Sequence, residues 1–175
     1  MMSIFRRLGG FLLGNIIKDI TASTAQGTVD KAPVMGIKCL THTASMPERA
    51  HPSDAGIDIK ASEGARIEPG DWAIIRTGLS FDTPDGYEVQ IRPRSGLAGK
   101  KGITVLNSPG TIDSGYRGEI KIILSNTGKF PYNVHTGDRV AQMVIARVCP
   151  IDIEQVFDKF GDTDRGINGF GSTGK

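Results

Sequence analysis

Residues 87–93 read YEVQIRP. Tyr87, Val89 and Ile91 fall on one side, and Glu88, Gln90 and Arg92 on the other. Exchange at every step is the period of a strand with one face buried. The next residues, RSGLAGKKG, have room for one short helical turn over Ser95–Lys101. The same pattern recurs on both sides. MGIKCL (35–40), EIKIILSN (119–126) and RVAQMVIARV (139–148) are strand-like runs. DWAIIRTGLSFDT (71–83) reads as two strands broken at Thr77–Gly78. Glycine, proline and aspartate punctuate these runs, and no segment of the domain has the pattern of a long amphipathic helix. Glycine occurs 23 times in 175 residues, nearly twice an average usage of roughly 7%. The spacing predicts an all-β domain of the sandwich, barrel or jelly-roll kind.

Composition narrows the function. The net charge is +2, too small to indicate a nucleic-acid binder by charge alone. Hydrophobic residues at 38% and charged residues at 23% suit a folded, soluble domain, and the length suits one core. Cys39 and Cys149 sit in apolar runs and are expected as buried, reduced thiols rather than a disulfide or metal pair. His42, His51 and His135 form no HxxH or CxxC pattern, which argues against a protein-built zinc site.

The N-terminus does not read as core. MMSIFRRLGGFLLGNIIKDI carries Arg6, Arg7 and Lys18, with Phe5, Leu8, Leu12, Ile16 and Ile20 at helical spacing. Gly9, Gly10 and Gly14 weaken a helix, and the apolar run is too short to span a bilayer. Two readings stay open for residues 1–20. One is a membrane-contact or targeting segment, the other an extension packed on a partner. Residues 21–33 are polar and read as a linker. The expected organisation is an extension (1–33), a β domain (34–157) and a glycine-rich C-terminal arm (158–175).

Polar residues gather at strand ends. In SDAGIDIK, Asp58 lies just inside a strand. In RPRSGLAGKKG, Arg94, Ser95 and Gly96 put a guanidinium, a hydroxyl and a permissive backbone in a row, which suits phosphate oxygens. A solvated basic turn is the bland alternative. In LNSPGTIDSGYRGEIK, Asn107, Asp113, Tyr116, Arg117, Glu119 and Lys121 crowd between two strands. An asparagine amide can read a base edge, and an aspartate can orient water. In GDRVAQ, Gln142 is either a strand-face glutamine or a group that positions water. The terminal RGINGFGSTGK supplies Arg165, Phe170, Ser172 and Thr173, the side chains suited to holding a ring and an anion.

Together these stretches resemble one family, the trimeric deoxyuridine triphosphate nucleotidohydrolases, or dUTPases. The likeness runs from Met46 to Lys175 through five ordered motifs: AGIDI, RPRSGLA, NSPGTIDSGYRGEI, GDRVAQ and RGINGFGSTG. Ile57 stands where the family usually has an aromatic residue, and Asn168 where it usually has another glycine. The resemblance implies a β-rich jelly roll, a distorted barrel assembled as a homotrimer with shared active sites. It implies cleavage of dUTP to dUMP and pyrophosphate with magnesium, water attacking the α-phosphorus. It also implies the metabolic role of limiting uracil in DNA and supplying dUMP for dTTP synthesis.

By the same resemblance Asp113 orients and activates the water and holds the 3′-hydroxyl. Gln142 positions the water or the α-phosphate. Arg94, Ser95 and Gly96 bind the phosphate chain. Asn107, with the hairpin main chain at Thr111 and Ile112, reads the uracil edge. Tyr116 packs under the deoxyribose and excludes a 2′-hydroxyl, and Lys121 is a further substrate contact. Asp58 meets magnesium through water or braces the site. Arg165, Gly171, Ser172 and Thr173 clasp the terminal phosphates, and Phe170 covers the uracil. The work is expected in the cytoplasm, with organellar targeting or membrane association through residues 1–20 left open.

Two rivals share the fold: a dCTP deaminase, and a regulatory or structural protein without turnover. The NSPGTID stretch and the tail favour the dUTPase reading over the first, and the filled motif positions favour it over the second. GFGSTGK from Gly169 fits GxxxxGK, but no serine or threonine follows Lys175 in this sequence, so a P-loop is rejected.

Overall fold

The structure is a computed structural model describing residues 32–168. The elements that carry the site come first. Strands β2 (Ile57–Lys60), β6 (Tyr87–Arg92), β8 (Gly110–Ile112) and β11 (Arg139–Arg147) form a four-stranded sheet in the order β2-β11-β6-β8. Strands β4 (Trp72–Arg76), β7 (Ile103–Val105) and β9 (Lys121–Asn126) form a second sheet in the order β4-β9-β7. Two ribbons complete the architecture: β1 (Gly36–Cys39) with β5 (Leu79–Asp82), and β3 (Ala65–Ile67) with β10 (Tyr132–Val134). Every pairing is antiparallel. The one described helix, α1, spans Ser95–Lys101.

The alternation in YEVQIR buries Val89 and Ile91 and leaves Glu88 and Gln90 half-buried and Arg92 exposed. In β9, Ile122 and Leu124 point inward by the same rule. Ile59, Ile67, Ile75, Leu79 and Phe81 join them in the core. Each fully buried side chain of this size contributes roughly 1.5–3 kcal/mol of transfer free energy. The result is the all-β, jelly-roll architecture expected from the sequence.

Two buried polar residues tie the sheets. Thr77 donates its hydroxyl to the Ile120 carbonyl at 2.6 Å and accepts the Leu79 N–H at 3.2 Å. The adjoining Gly78 has φ +66°, and a Cβ there would lie 2.4 Å from Thr41 Oγ1. The β4–β5 corner therefore requires glycine on both conformational and steric grounds. Asn126 is fully buried. Its Nδ2 donates to the carbonyls of Ile67 (3.0 Å) and Phe130 (2.8 Å), and its Oδ1 accepts the Gly128 N–H (2.9 Å).

One expectation is corrected. Cys39 and Cys149 are free but exposed, not buried. Among the described residues β1 pairs only with β5, and three of its four residues are exposed. Cys149 follows the last strand. Among the described residues of one chain, an apolar run at a sheet edge or beyond it has no second layer over it.

Candidate active site

Asp58 on β2 and Arg92 on β6 both stand opposite Gln142 of β11. Three strands thus bring AGID, RPRSG and GDRVAQ into one cross-strand row. The Gln142 amide donates from Nε2 to the Pro93 carbonyl at 2.9 Å. Its Oε1 lies over Gly56, where an added Cβ would come within 2.1 Å. That close approach explains the glycine of AGID.

Arg94 is the N-cap of α1, with extended backbone angles, and its carbonyl accepts the N–H groups of Leu97 and Ala98. Ser95 and Gly96 then occupy the first turn, where N–H groups have no partner inside the helix. The Arg94 side chain is locked in place. Its Nε donates to Asp58 Oδ1 at 2.8 Å and its Nη1 to the Arg139 carbonyl at 3.0 Å. Arg139 Nη1 lies 3.5 Å from the other Asp58 oxygen. Asp58 is therefore held between two guanidiniums. Burial, with Asp138 adding to it and Arg94 opposing it, pushes the nearby Tyr132 phenol above its ordinary pKa.

The second cluster lies around β8. The Tyr116 N–H donates to the Asp113 carbonyl at 3.1 Å, closing a four-residue turn. The Tyr116 hydroxyl donates to the Glu119 carbonyl at 3.1 Å. The ring lies against Gly118, where a Cβ would meet the phenol oxygen at 2.4 Å. Thr111, Ile112, Asp113, Tyr116, Glu119 and Lys121 line a cavity of about 240 Å³. Asp113 also borders a second cavity of about 330 Å³, with Tyr87, Glu88 and Val148 on its wall. Asn107 stands at the mouth of the hairpin, its amide nitrogen 3.1 Å from where a Gly110 Cβ would be. It is not among the residues lining the 240 Å³ cavity.

The structure brings Asp58, Arg94 and Gln142 together, and separately Asp113, Tyr116 and Lys121. It does not bring the two groups together. Gln142 is opposite Arg92 at one end of β6, and Ile112, just before Asp113, is opposite Val89 towards the other. At about 3.3 Å per residue and about 4.8 Å per strand, Gln142 and Asp113 stand roughly 15 Å apart. Arg165 is exposed and donates from Nε to the Asn168 carbonyl at 3.1 Å. Phe170, Gly171, Ser172, Thr173 and residues 1–20 lie outside the described residues. Sequence reading gave no role to Gly56, Arg139 or Glu119. The glycine in AGID and the strand-end charges were the available signals.

The carboxylates do not make a metal cage. Among the described residues no group of three or more His, Cys, Asp or Glu is arranged to hold an ion. Both oxygens of Asp58 face guanidiniums.

Comparison with known proteins shows the family. The dUTPase family model matches residues 42–174. The chain belongs to the dUTPase family. Deoxyuridine 5'-triphosphate nucleotidohydrolase of Clostridium tetani is 52% identical over 139 residues, covering 79% of this chain and 95% of that protein. The protein of the same name from Gloeothece citriformis is 50% identical over 135 residues, covering 77% and 92%. Among solved structures, a mutant dUTPase of Staphylococcus bacteriophage 80alpha with dUpNHpp superposes with a TM-score of 0.75 at 29% identity. It covers 81% of this chain and 99% of its own. A mutant dUTPase from phage phi11 of S. aureus, which coordinates a structural Mg(II) ion, gives a TM-score of 0.68 at 28% identity over 72% and 98%. The family match leaves residues 1–41 of this sequence outside it.

Proposed function

We propose that this chain hydrolyses dUTP to dUMP and pyrophosphate, with magnesium, by attack of water on the α-phosphorus. The observation that carries the reading is the turn from Asp113 to Tyr116. Its 3.1 Å hydrogen bond fixes a carboxylate and an aromatic ring on one nucleoside-sized cavity. Triphosphate hydrolysis asks for positioning and charge stabilisation more than for covalent work. Tyr116 supports the deoxyribose and leaves no room for a 2′-hydroxyl. Thr111, Ile112 and Asn107 read the base, and Lys121 adds a substrate contact. Asp113 orients the water. Its carboxylate oxygens are the acceptors for a hydrogen bond from that water.

Arg94, Ser95 and Gly96 receive the phosphate chain, and Gln142 holds the water or the α-phosphate. Asp58 braces Arg94 and reaches magnesium only through water. A magnesium ion carried on the substrate's phosphates would supply charge neutralisation there. Arg165 and the glycine-rich arm, with Phe170, Gly171, Ser172 and Thr173, close over the bound nucleotide.

The roughly 15 Å between Asp113 and Gln142 is too far for both to act on one α-phosphate. We infer a homotrimer in which one copy supplies the nucleoside cavity and another the phosphate row. Trp72, Ile74 and Leu106 support this, each being about half exposed in the single chain (54%, 51% and 54%). Residues 1–33 form an extension to this body, and residues 1–20 make a membrane or protein contact. No described helix is long and apolar enough to cross a membrane. The enzyme works in the cytoplasm on this reading.

The test is pyrophosphate release from a panel of dNTPs and NTPs, with and without magnesium. The reading expects dUTP alone to be turned over efficiently and only with the metal. Ammonia release from dCTP as the main activity would transfer the chain to the deaminase reading.

A further inference from the structure

We propose that Glu119 is a positioning residue that sets deoxyribose-over-ribose selectivity through Tyr116. The proposal rests on the reading of Tyr116 as the group that excludes a 2′-hydroxyl. Tyr116 is 46% exposed, so packing alone does not hold its ring. Its hydroxyl is tied to the Glu119 carbonyl. The ring direction therefore follows the position of the Glu119 backbone.

That backbone is in turn held from a distance. The Glu119 carboxylate accepts both bonds from Arg76 Nε, at 3.0 and 3.2 Å, and its Oε1 accepts the Gly78 N–H at 3.0 Å. The next residue is gripped by the same corner. The Ile120 N–H donates to the Leu79 carbonyl at 2.8 Å, and the Ile120 carbonyl accepts from Thr77 at 2.6 Å. The Glu119 side chain is only 11% exposed while Arg76 is 47% exposed, so the carboxylate is held on its buried side by the Gly78 N–H and on its open side by a single shared Arg76 Nε–H. The β4–β5 corner is closely surrounded: a Cβ on Gly78 would lie 2.4 Å from Thr41 Oγ1 and 2.9 Å from the Ala44 Cβ. Force runs from the Arg76–Gly78 corner through the Glu119 carboxylate to its carbonyl, and from there to the Tyr116 hydroxyl. Arg76 does not itself line the cavity; it stands across the strand pair from Lys121, which does.

The experiment measures kcat and KM for dUTP and UTP on the full chain. The variants are Glu119→Ala, Arg76→Met, Tyr116→Phe, Tyr116→Ala and Glu119→Ala combined with Tyr116→Phe, each with a thermal melt. Glu119→Ala, Arg76→Met and Tyr116→Phe should each lower the dUTP-to-UTP ratio of kcat/KM by about three- to tenfold, the worth of one hydrogen bond. Glu119→Ala should add little in the Tyr116→Phe background. Arg76→Met replaces a half-exposed side chain and keeps the test available if Glu119→Ala does not fold. Lower melting temperatures with an unchanged ratio in both Glu119→Ala and Arg76→Met would reduce the network to a structural role. If Tyr116→Ala leaves the ratio unchanged, the ribose-exclusion reading fails and takes this inference with it. If Tyr116→Ala lowers the ratio and the other variants do not, this inference alone fails.

Discussion

Gly56→Ala tests the phosphate row at one atom. The glycine backbone lies outside the left-handed region, so alanine adopts it without strain. The added Cβ would lie 2.1 Å from Gln142 Oε1 and 3.2 Å from its Cδ, against ordinary contacts that begin near 3.4 Å. The amide oxygen must retreat by about 1.3 Å, the difference between 3.4 and 2.1 Å. Because the obstructing atom is the end of a side chain, the retreat breaks the 2.9 Å bond to Pro93 and leaves the strands in place. A misplacement of about 1 Å in a positioning group costs on the order of 100-fold. Steady-state pyrophosphate release should show kcat for dUTP falling by roughly 30- to 100-fold, while melting shifts by no more than about 3 °C. In a Gln142→Ala background the same change should cost little more. Wild-type turnover in Gly56→Ala would refute the claim that the Pro93-anchored position of Gln142 matters. Collapse of the fold would refute the claim that the clash is confined to a side chain.

Asp58→Asn should raise KM for dUTP about five- to twentyfold, since Arg94 loses its charged partner. The magnesium concentration for half-maximal rate should rise less than KM does, since Asp58 reaches the ion only through water, and a metal titration checks both. Removing Gly166–Lys175 should abolish efficient turnover while leaving melting and oligomer size unchanged, as read by calorimetry and size-exclusion chromatography. Asn126→Ala strips partners from two carbonyls and an N–H, of which only the Ile67 carbonyl is deeply buried. The loss should be about 2–4 kcal/mol, a fall of roughly 6–15 °C in melting temperature.

What was legible in the sequence was what depends on near neighbours. The alternation in YEVQIR set the faces of β6, Thr77–Gly78 marked the β4–β5 corner, and RSGLAGKK fitted one short helix. Contacts between distant segments were not legible. Glu119 meets Arg76 across 43 positions, and Asn126 meets Ile67 across 59. Neither residue differs in type from an ordinary surface polar group, and only the sheet register makes them partners. Cys39 failed for a related reason: hydrophobic character is local, but burial needs a second layer, which β1 lacks. The site motifs were recognisable one by one because each is a contiguous stretch. Their separation into two clusters on one chain is a property of strand order, which no motif encodes.

That separation yields the sharpest test of a shared site. Asp113→Asn removes the carboxylate from the nucleoside cavity, and Gln142→Ala removes the amide from the phosphate row. Each variant alone should be nearly inactive. If a site draws Asp113 from one copy and Gln142 from another, co-refolding the two variants in equal amounts rebuilds intact sites. Each site needs its cavity copy to carry Asp113 and its row copy to carry Gln142, two independent draws at even odds, so about a quarter of wild-type activity should return. Within one chain no mixture can rebuild a site, because every chain carries one lesion. The two architectures therefore differ between about a quarter and none, far outside the error of a rate measurement. Mixing without refolding gives the control, since recovery then waits on subunit exchange. An inactive mixture whose copies have demonstrably exchanged would return both groups to a single chain. Asp113 and Gln142 would then have to approach across roughly 15 Å by bending the sheet that holds them apart.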